Sequence, residues 1–161
     1  MNDQSQNAVF KEFIHTSTKW QEIILLDNQT PLHVAVRTKY LPVVELLLNA
    51  GCNPNIMTKD NYTPIHIAIK EDSDDIIKKL IEHGANPEVR TKKGFTPLHL
   101  AAKYGSYKAC HLLINQTKSN PNAVGRNGFT PVHVATYYNN VEVSCYDMQN
   151  MSLPWFLLMV I

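Results

Sequence analysis

The sequence predicts an all-α solenoid of stacked helix-turn-helix units with projecting β-hairpin turns. Three observations carry that prediction. Thr-Pro recurs in near-identical surroundings at Thr30-Pro31-Leu32-His33, Thr63-Pro64-Ile65-His66, Thr96-Pro97-Leu98-His99 and Thr130-Pro131-Val132-His133, with spacings of 33, 33 and 34 residues. A fixed period of this size marks one supersecondary unit copied along the chain. Two residues before each Thr stands Asn28, Asn61, Gly94 or Gly128, the residue types that tolerate left-handed backbone, so a tight turn precedes every copy. An aliphatic stretch follows each of the first three copies at the same offset, as a second helix requires.

The third copy justifies each element in order. Lys92-Lys93-Gly94-Phe95 is a turn signal. Thr96 is a helix cap, and Pro97 suits the first helical position, where no N–H is needed. A first helix is expected over about Pro97 to Tyr104, with Leu98, Ala101 and Ala102 as its buried stripe and Gly105 as its stop. A second helix is expected over about Tyr107 to Asn115, carrying Ala109, Leu112, Leu113 and Ile114. In copy one the second helix holds Val43, Val44, Leu46, Leu47 and Leu48 before Ala50-Gly51. In copy two it holds Ile76, Ile77, Leu80 and Ile81 before Gly84-Ala85, and Asp72 to Asp75 place negative charge at its N-terminus. Copy three replaces the Gly-Ala stop with Gln116-Thr117-Lys118-Ser119, one residue longer, which accounts for the spacing of 34.

Composition narrows the function classes. The 161 residues are 44% hydrophobic and 18% charged, with a formal net charge of +1, an ordinary globular balance that supplies no global charge argument for nucleic acid or an anionic membrane as a partner. Cys52, Cys110 and Cys145 have no zinc spacing and no close pair; unpaired thiols fit a reducing compartment. The polar start, Met1 to Asn7, has no apolar signal core. A cytoplasmic protein is expected. Trp155 to Ile161 is an apolar run of seven residues, against the roughly 20 that a membrane span needs.

The pattern turn, Thr-Pro-Leu-His, helix, Gly, helix, Leu-Leu, Gly-Ala-Asn-Pro resembles the ankyrin repeat and covers about residues 30–143. The stretches Thr91 to Gly105 and Asn122 to Pro131 are similar to the membrane-binding repeats of the ankyrin adaptor family, with the long arrays of spider latrotoxins a more distant likeness. That resemblance implies repeats that bind cytoplasmic tails of membrane proteins, at the membrane cytoskeleton. The alternative is a regulatory array within a larger channel, toxin or enzyme.

The ends depart from the pattern. Residues 1–29 read as a divergent N-terminal half-repeat that caps the stack, with Ala8 to Ile14 in register with Val43 to Leu47. Residues 30–143 hold three complete repeats and a truncated fourth, and 144–161 form a non-repeat apolar tail. Asp147 falls where the earlier copies have Leu47, Leu80 and Leu113. The expectation is a fragment or alternative end of a longer protein, fraying from Ser144 onward.

No phosphate loop, catalytic triad signature or usable pair of carboxylates is present, so no enzyme activity and no cofactor are expected. The repeated His33, His66, His99 and His133 lie one repeat apart, about 10 Å by stacked-helix spacing. With zinc–nitrogen bonds of about 2 Å, they cannot share a metal. Each imidazole is expected to bond a neighbouring turn's backbone, so that Thr30, Thr63, Thr96, Thr130 and the four histidines are structural. Cys110 is expected to be a partly buried packing thiol.

In this repeat architecture the turns project as fingers and the first helices line a concave face. The candidate groove residues are Arg37, Lys59, Tyr62, Lys70, Lys92, Lys93, Phe95, Lys103, Tyr104, Arg126, Phe129, Tyr137 and Tyr138. Basic residues outnumber acidic ones among them and their neighbours, and aromatics gather toward the C-terminal half, the residue types that anchor interfaces. An extended, partly acidic peptide is the expected partner.

Overall fold

The computed structural model describes residues 26–140 and 142–143. The proposed cap over Ala8 to Ile14, the segment through Trp20 and Leu25, and the tail 144–161 lie outside the described residues. A single 3₁₀ turn, Leu26–Asn28, leads into α1 (Pro31–Arg37) and α2 (Leu41–Asn49). Then follow α3 (Pro64–Lys70), α4 (Asp74–Glu82), α5 (Pro97–Tyr104), α6 (Tyr107–Thr117) and α7 (Pro131–Tyr137). The helices form two layers. In the inner row α1, α3, α5 and α7 pack consecutively, and in the outer row α2, α4 and α6 do the same. The core lies between them, built on Leu32, Val36, Val44, Ile65, Ile69, Ile77, Leu80, Leu98 and Leu113, with Ala68, Ala101, Ala102 and Ala135 allowing close approach within the inner row.

The second, third and fourth fingers are three-residue hairpin loops. In the second, the Asn61 N–H bonds the Thr58 carbonyl at 2.9 Å, Asn61 sits at φ 59°, and the Thr58 N–H bonds the Tyr62 carbonyl at 2.9 Å. This is a type I turn closed by a left-handed residue. Thr91-Gly94-Phe95 and Gly125-Gly128-Phe129 repeat it, with Gly94 and Gly128 at φ 80° and 78°. Among the described residues no regular strand grows from these loops. The fingers are tied sideways, since Lys59 N–H donates to the Asp27 carbonyl (2.8 Å) and Lys92 N–H to the Asp60 carbonyl (3.1 Å).

The Thr-Pro-x-His segment is a joint within and between repeats. The backbone N–H of Thr30, Thr63, Thr96 and Thr130 points at Nδ1 of the histidine three residues on, at 3.1, 3.1, 3.3 and 3.2 Å. A backbone N–H can only donate, so Nδ1 carries no proton and the neutral ring holds its hydrogen on Nε2. That hydrogen points to the next finger: His33 Nε2 lies 3.2 Å from the Tyr62 carbonyl and His99 Nε2 lies 3.0 Å from the Phe129 carbonyl. His66 faces the equivalent Phe95 and Val89 carbonyls, short of full hydrogen-bond geometry. The exposed His133 keeps the bond to Thr130, and no further finger stands beside it among the described residues.

Other ties run along the outer edge. Asn53, Asn86 and Asn120 each accept from the backbone N–H two residues on, at 2.9 Å in every copy. Asn55 Oδ1 and Glu88 Oε1 accept from the next copy's Asn86 and Asn120 N–H, at 2.6 and 3.0 Å. The Asp72 carboxylate likewise accepts from Ser106 Oγ at 2.8 Å.

Some boundaries differ from the sequence expectation. α6 runs past Asn115 to Thr117 and ends on Lys118 at φ 56°, where the other copies use Gly51 and Gly84. The inserted residue is thus absorbed as extra helix. α7 ends at Tyr137, with Tyr138 as its cap. Gly105 occupies the left-handed position at the first helix's end, but Lys39, Asp72 and Asn139 hold the same position in other copies. Cys110 is fully buried rather than partly so, and burial pushes the half-buried Cys52 thiol up.

Two predictions follow from this packing. Burial holds His66 down at about 4, and burial also lowers His33 and His99, against the neighbouring carbonyls that raise them. An unfolded chain titrates these rings near 6.5, so it binds more protons than the fold between those pH values. Stability is complete above about pH 6.5 and is lost as pH falls toward 4, by on the order of 3 kcal/mol from His66. Urea unfolding followed by circular dichroism across this range checks the sign; a midpoint that does not fall with pH is the contrary result. Separately, a Cβ at Gly94 would meet Arg126 N at 2.7 Å, whereas one at Gly51 meets nothing within 4 Å, although both glycines have φ near 80°. Gly51→Ala should therefore cost only the left-handed penalty of about 1–2 kcal/mol, and Gly94→Ala distinctly more, in the same assay.

Candidate functional site

The fingers and the inner helices meet in a corner. One concavity of about 170 Å³ is lined by finger residues Asp27, Gln29, Thr58, Asp60 and Tyr62 and by Arg37, Ile67, Lys70 and Glu71 of the inner helices and their ends. Arg37 and Lys70 stand at equivalent positions of the last turn, with Lys103 next in the column. Their charge suits a helix C-terminus, which explains the position without requiring a ligand. Arg37 Nη1 donates to Gln29 Oε1 at 2.8 Å, a link from helix to finger within one repeat.

Toward the C-terminal half the column becomes aromatic. The Lys103 ammonium lies over the Tyr104 ring at 5.4 Å and over the Tyr138 ring at 5.3 Å, and the Tyr138 ring packs edge-on to Tyr137 at 5.2 Å. These are cation–π distances. Tyr104 and Tyr138 remain nearly half exposed and Tyr137 is 77% exposed. The Tyr62 hydroxyl is pushed up, first by burial and then by the Tyr104 hydroxyl, with Lys103 opposing. Side chains of copies two, three and four thus share one surface.

The finger residues divide. Lys59, Lys92, Lys93 and Arg126 are exposed on the finger tips. Lys92 pairs with Asp60 of the preceding finger at 3.5 Å, with both side chains more than half exposed. Phe95 is half-buried against the core and stacked on His99 at 5.6 Å, so much of its ring is unavailable to a partner. Phe129 stacks on His133 at 6.1 Å and stays 45% exposed.

Sequence reasoning did not single out Asn140. Its amide donates to the carbonyls of Ala102 and Lys103 at 2.7 and 2.9 Å, capping the end of α5 from the end of α7. Ser73, Ser106 and Asn140 share one column, so the change from Ser to Asn was visible; the carbonyls it reaches were not. Another concavity, about 920 Å³, is lined mainly by the outer helices α4 and α6 and the turns that precede them, away from the fingers. Acidic and basic side chains mix there, as in the 3.1 Å pair of Lys108 with Asp74. Among the described residues no group of three or more His, Cys, Asp or Glu could hold a metal ion, and no helix is long and apolar enough to cross a membrane.

A family model described as ankyrin repeats (3 copies) matches residues 2–91 and 75–146. The chain belongs to the ankyrin-repeat family, whose repeats form protein–protein interaction modules. No curated protein matches the sequence.

Asn140→Ala should cost about 1–2 kcal/mol, because it leaves two helix-end carbonyls without their donor. Thermal unfolding measures the loss, and an unchanged midpoint would show that the cap carries no stability.

Proposed function

We propose that the corner between fingers and inner helices binds an extended, partly acidic peptide segment. The observation that carries this reading is the column Arg37, Lys70, Lys103, Tyr137, which runs across all four repeats beside Tyr104 and Tyr138. It offers cations for the peptide's carboxylates and exposed rings for its apolar side chains. Electrostatics supplies encounter rate and register, while the Tyr104–Tyr138 surface supplies desolvated contact.

The partner we infer is the cytoplasmic tail of a membrane protein, with the chain acting as part of a membrane–cytoskeleton adaptor. The support for this finer reading is the likeness of Thr91 to Gly105 and Asn122 to Pro131 to the adaptor repeats. The scaffold itself is common to many interaction partners.

The test is fluorescence anisotropy with a panel of labelled tail peptides that combine acidic and aromatic residues. Binding should weaken with rising salt, and Lys103→Glu or Tyr138→Ala should each reduce affinity by about tenfold, a hot-spot loss of about 1.4 kcal/mol. Affinity that ignores both salt and these substitutions would refute the corner as the binding surface.

A further inference from the structure

We propose that the third and fourth fingers hold a phosphate monoester between Arg90, Lys92 and Arg126. These three residues line a concavity of about 420 Å³ whose lining holds no Asp or Glu. It shares no lining residue with the corner described above, so this proposal does not rest on that reading.

The internal repeat isolates Arg90 as the unexplained residue. Met57 and Val124 occupy the same position in the neighbouring copies, so the scaffold accepts an uncharged side chain there. Arg90 is nevertheless fixed in place. Its Nη1 donates to the Val124 carbonyl at 2.6 Å and to the Gly94 carbonyl at 3.3 Å, bridging the bases of two fingers. A guanidinium has five N–H donors, and these two bonds use only the Nη1 pair. The rest of a pre-oriented planar fork matches the oxygens of a phosphate.

The surroundings favour a doubly charged anion. Gly94 and Gly125 contribute backbone without side chains to the lining, and Asn61 adds an amide at its edge. Two acidic residues stand nearby. Glu88 Oε1 already accepts the Asn120 N–H at 3.0 Å. Asp60 pairs with Lys92 at 3.5 Å while more than half exposed, a surface contact that an incoming dianion displaces at little cost. A single carboxylate would leave two of the three cations unmatched. A phosphate brings two charges and acceptors on every side. The volume also leaves room for the residue or small molecule that carries it.

The experiment is a ¹⁵N-HSQC titration of the full chain at constant ionic strength, with inorganic phosphate in one arm and N-acetyl-O-phosphoserine amide in the other. Saturable shifts are expected at the Gly94, Gly125 and Arg126 amides. Arg90→Met, which installs the residue copy two carries, and Arg126→Gln should each weaken binding by about tenfold, the loss of one charge-assisted contact. Lys59→Gln, at the equivalent tip two fingers earlier, should leave it unchanged. Tighter binding of the phosphoserine compound assigns the anion to a phosphorylated segment, and tighter binding of inorganic phosphate assigns it to a free phosphate; both support the site. Shifts that rise linearly without saturation, or equal affinity in wild type and Arg126→Gln, overturn it. Arg126→Gln decides the matter if Arg90→Met loses its fold.

Discussion

The stack depends on an imidazole that must stay neutral. In each repeat the threonine N–H occupies Nδ1 of the histidine, which leaves the ring only one hydrogen, on Nε2. In the first three repeats that hydrogen faces the carbonyls at the base of the next finger. One side chain therefore closes its own helix N-terminus and holds its neighbour. Protonation would place a second N–H against the threonine donor and put a charge in the core, so the bond within the repeat fails and burial penalises the ring, although the neighbouring carbonyl still accepts from Nε2. This coupling makes units that cannot bury their apolar faces alone behave as one body.

Around that joint the residues sort by column. Those that recur, Thr, Pro, His, the left-handed turn residue and the small inner-helix alanines, serve the helix cap, the turn geometry or the core. Those that change from copy to copy sit on the fingers, at tip or base, and around the last turn of the inner helices. There the backbone geometry is already satisfied, so side-chain identity is free to serve a partner. Lys103 with Tyr104 and Tyr138, and Arg90 with its two carbonyls, belong to this second group.

Much of this was legible in one sequence because a repeat supplies its own comparison. The turn residues Asn28, Asn61, Gly94 and Gly128 stand at positive φ in all four copies, and the second helices bury most of the expected aliphatic residues, with Val43, Leu46, Ile81 and Ile114 partly buried. Legibility failed where one backbone demand is met by different chemistry. Lys39, Asp72 and Asn139 take the left-handed position that Gly105 announces only once, and Lys118 replaces the glycine that ends the outer helices. It failed again for Phe95, a groove candidate by position that spends much of its ring on His99 and the core.

The sequence by itself determined the period, the helix pairs, the turn type and the family. Each of these is a local demand of φ, capping or apolar spacing, and local demands are written in neighbouring residues. Tertiary structure alone decided which side chains cross from one repeat to the next. Asn140 reaches the carbonyls of Ala102 and Lys103, Ser106 reaches Asp72, and Arg90 reaches Val124, each across more than thirty residues of chain. Such contacts depend on how two repeats are rotated against each other, and that rotation is set by the whole packed layer rather than by any single segment.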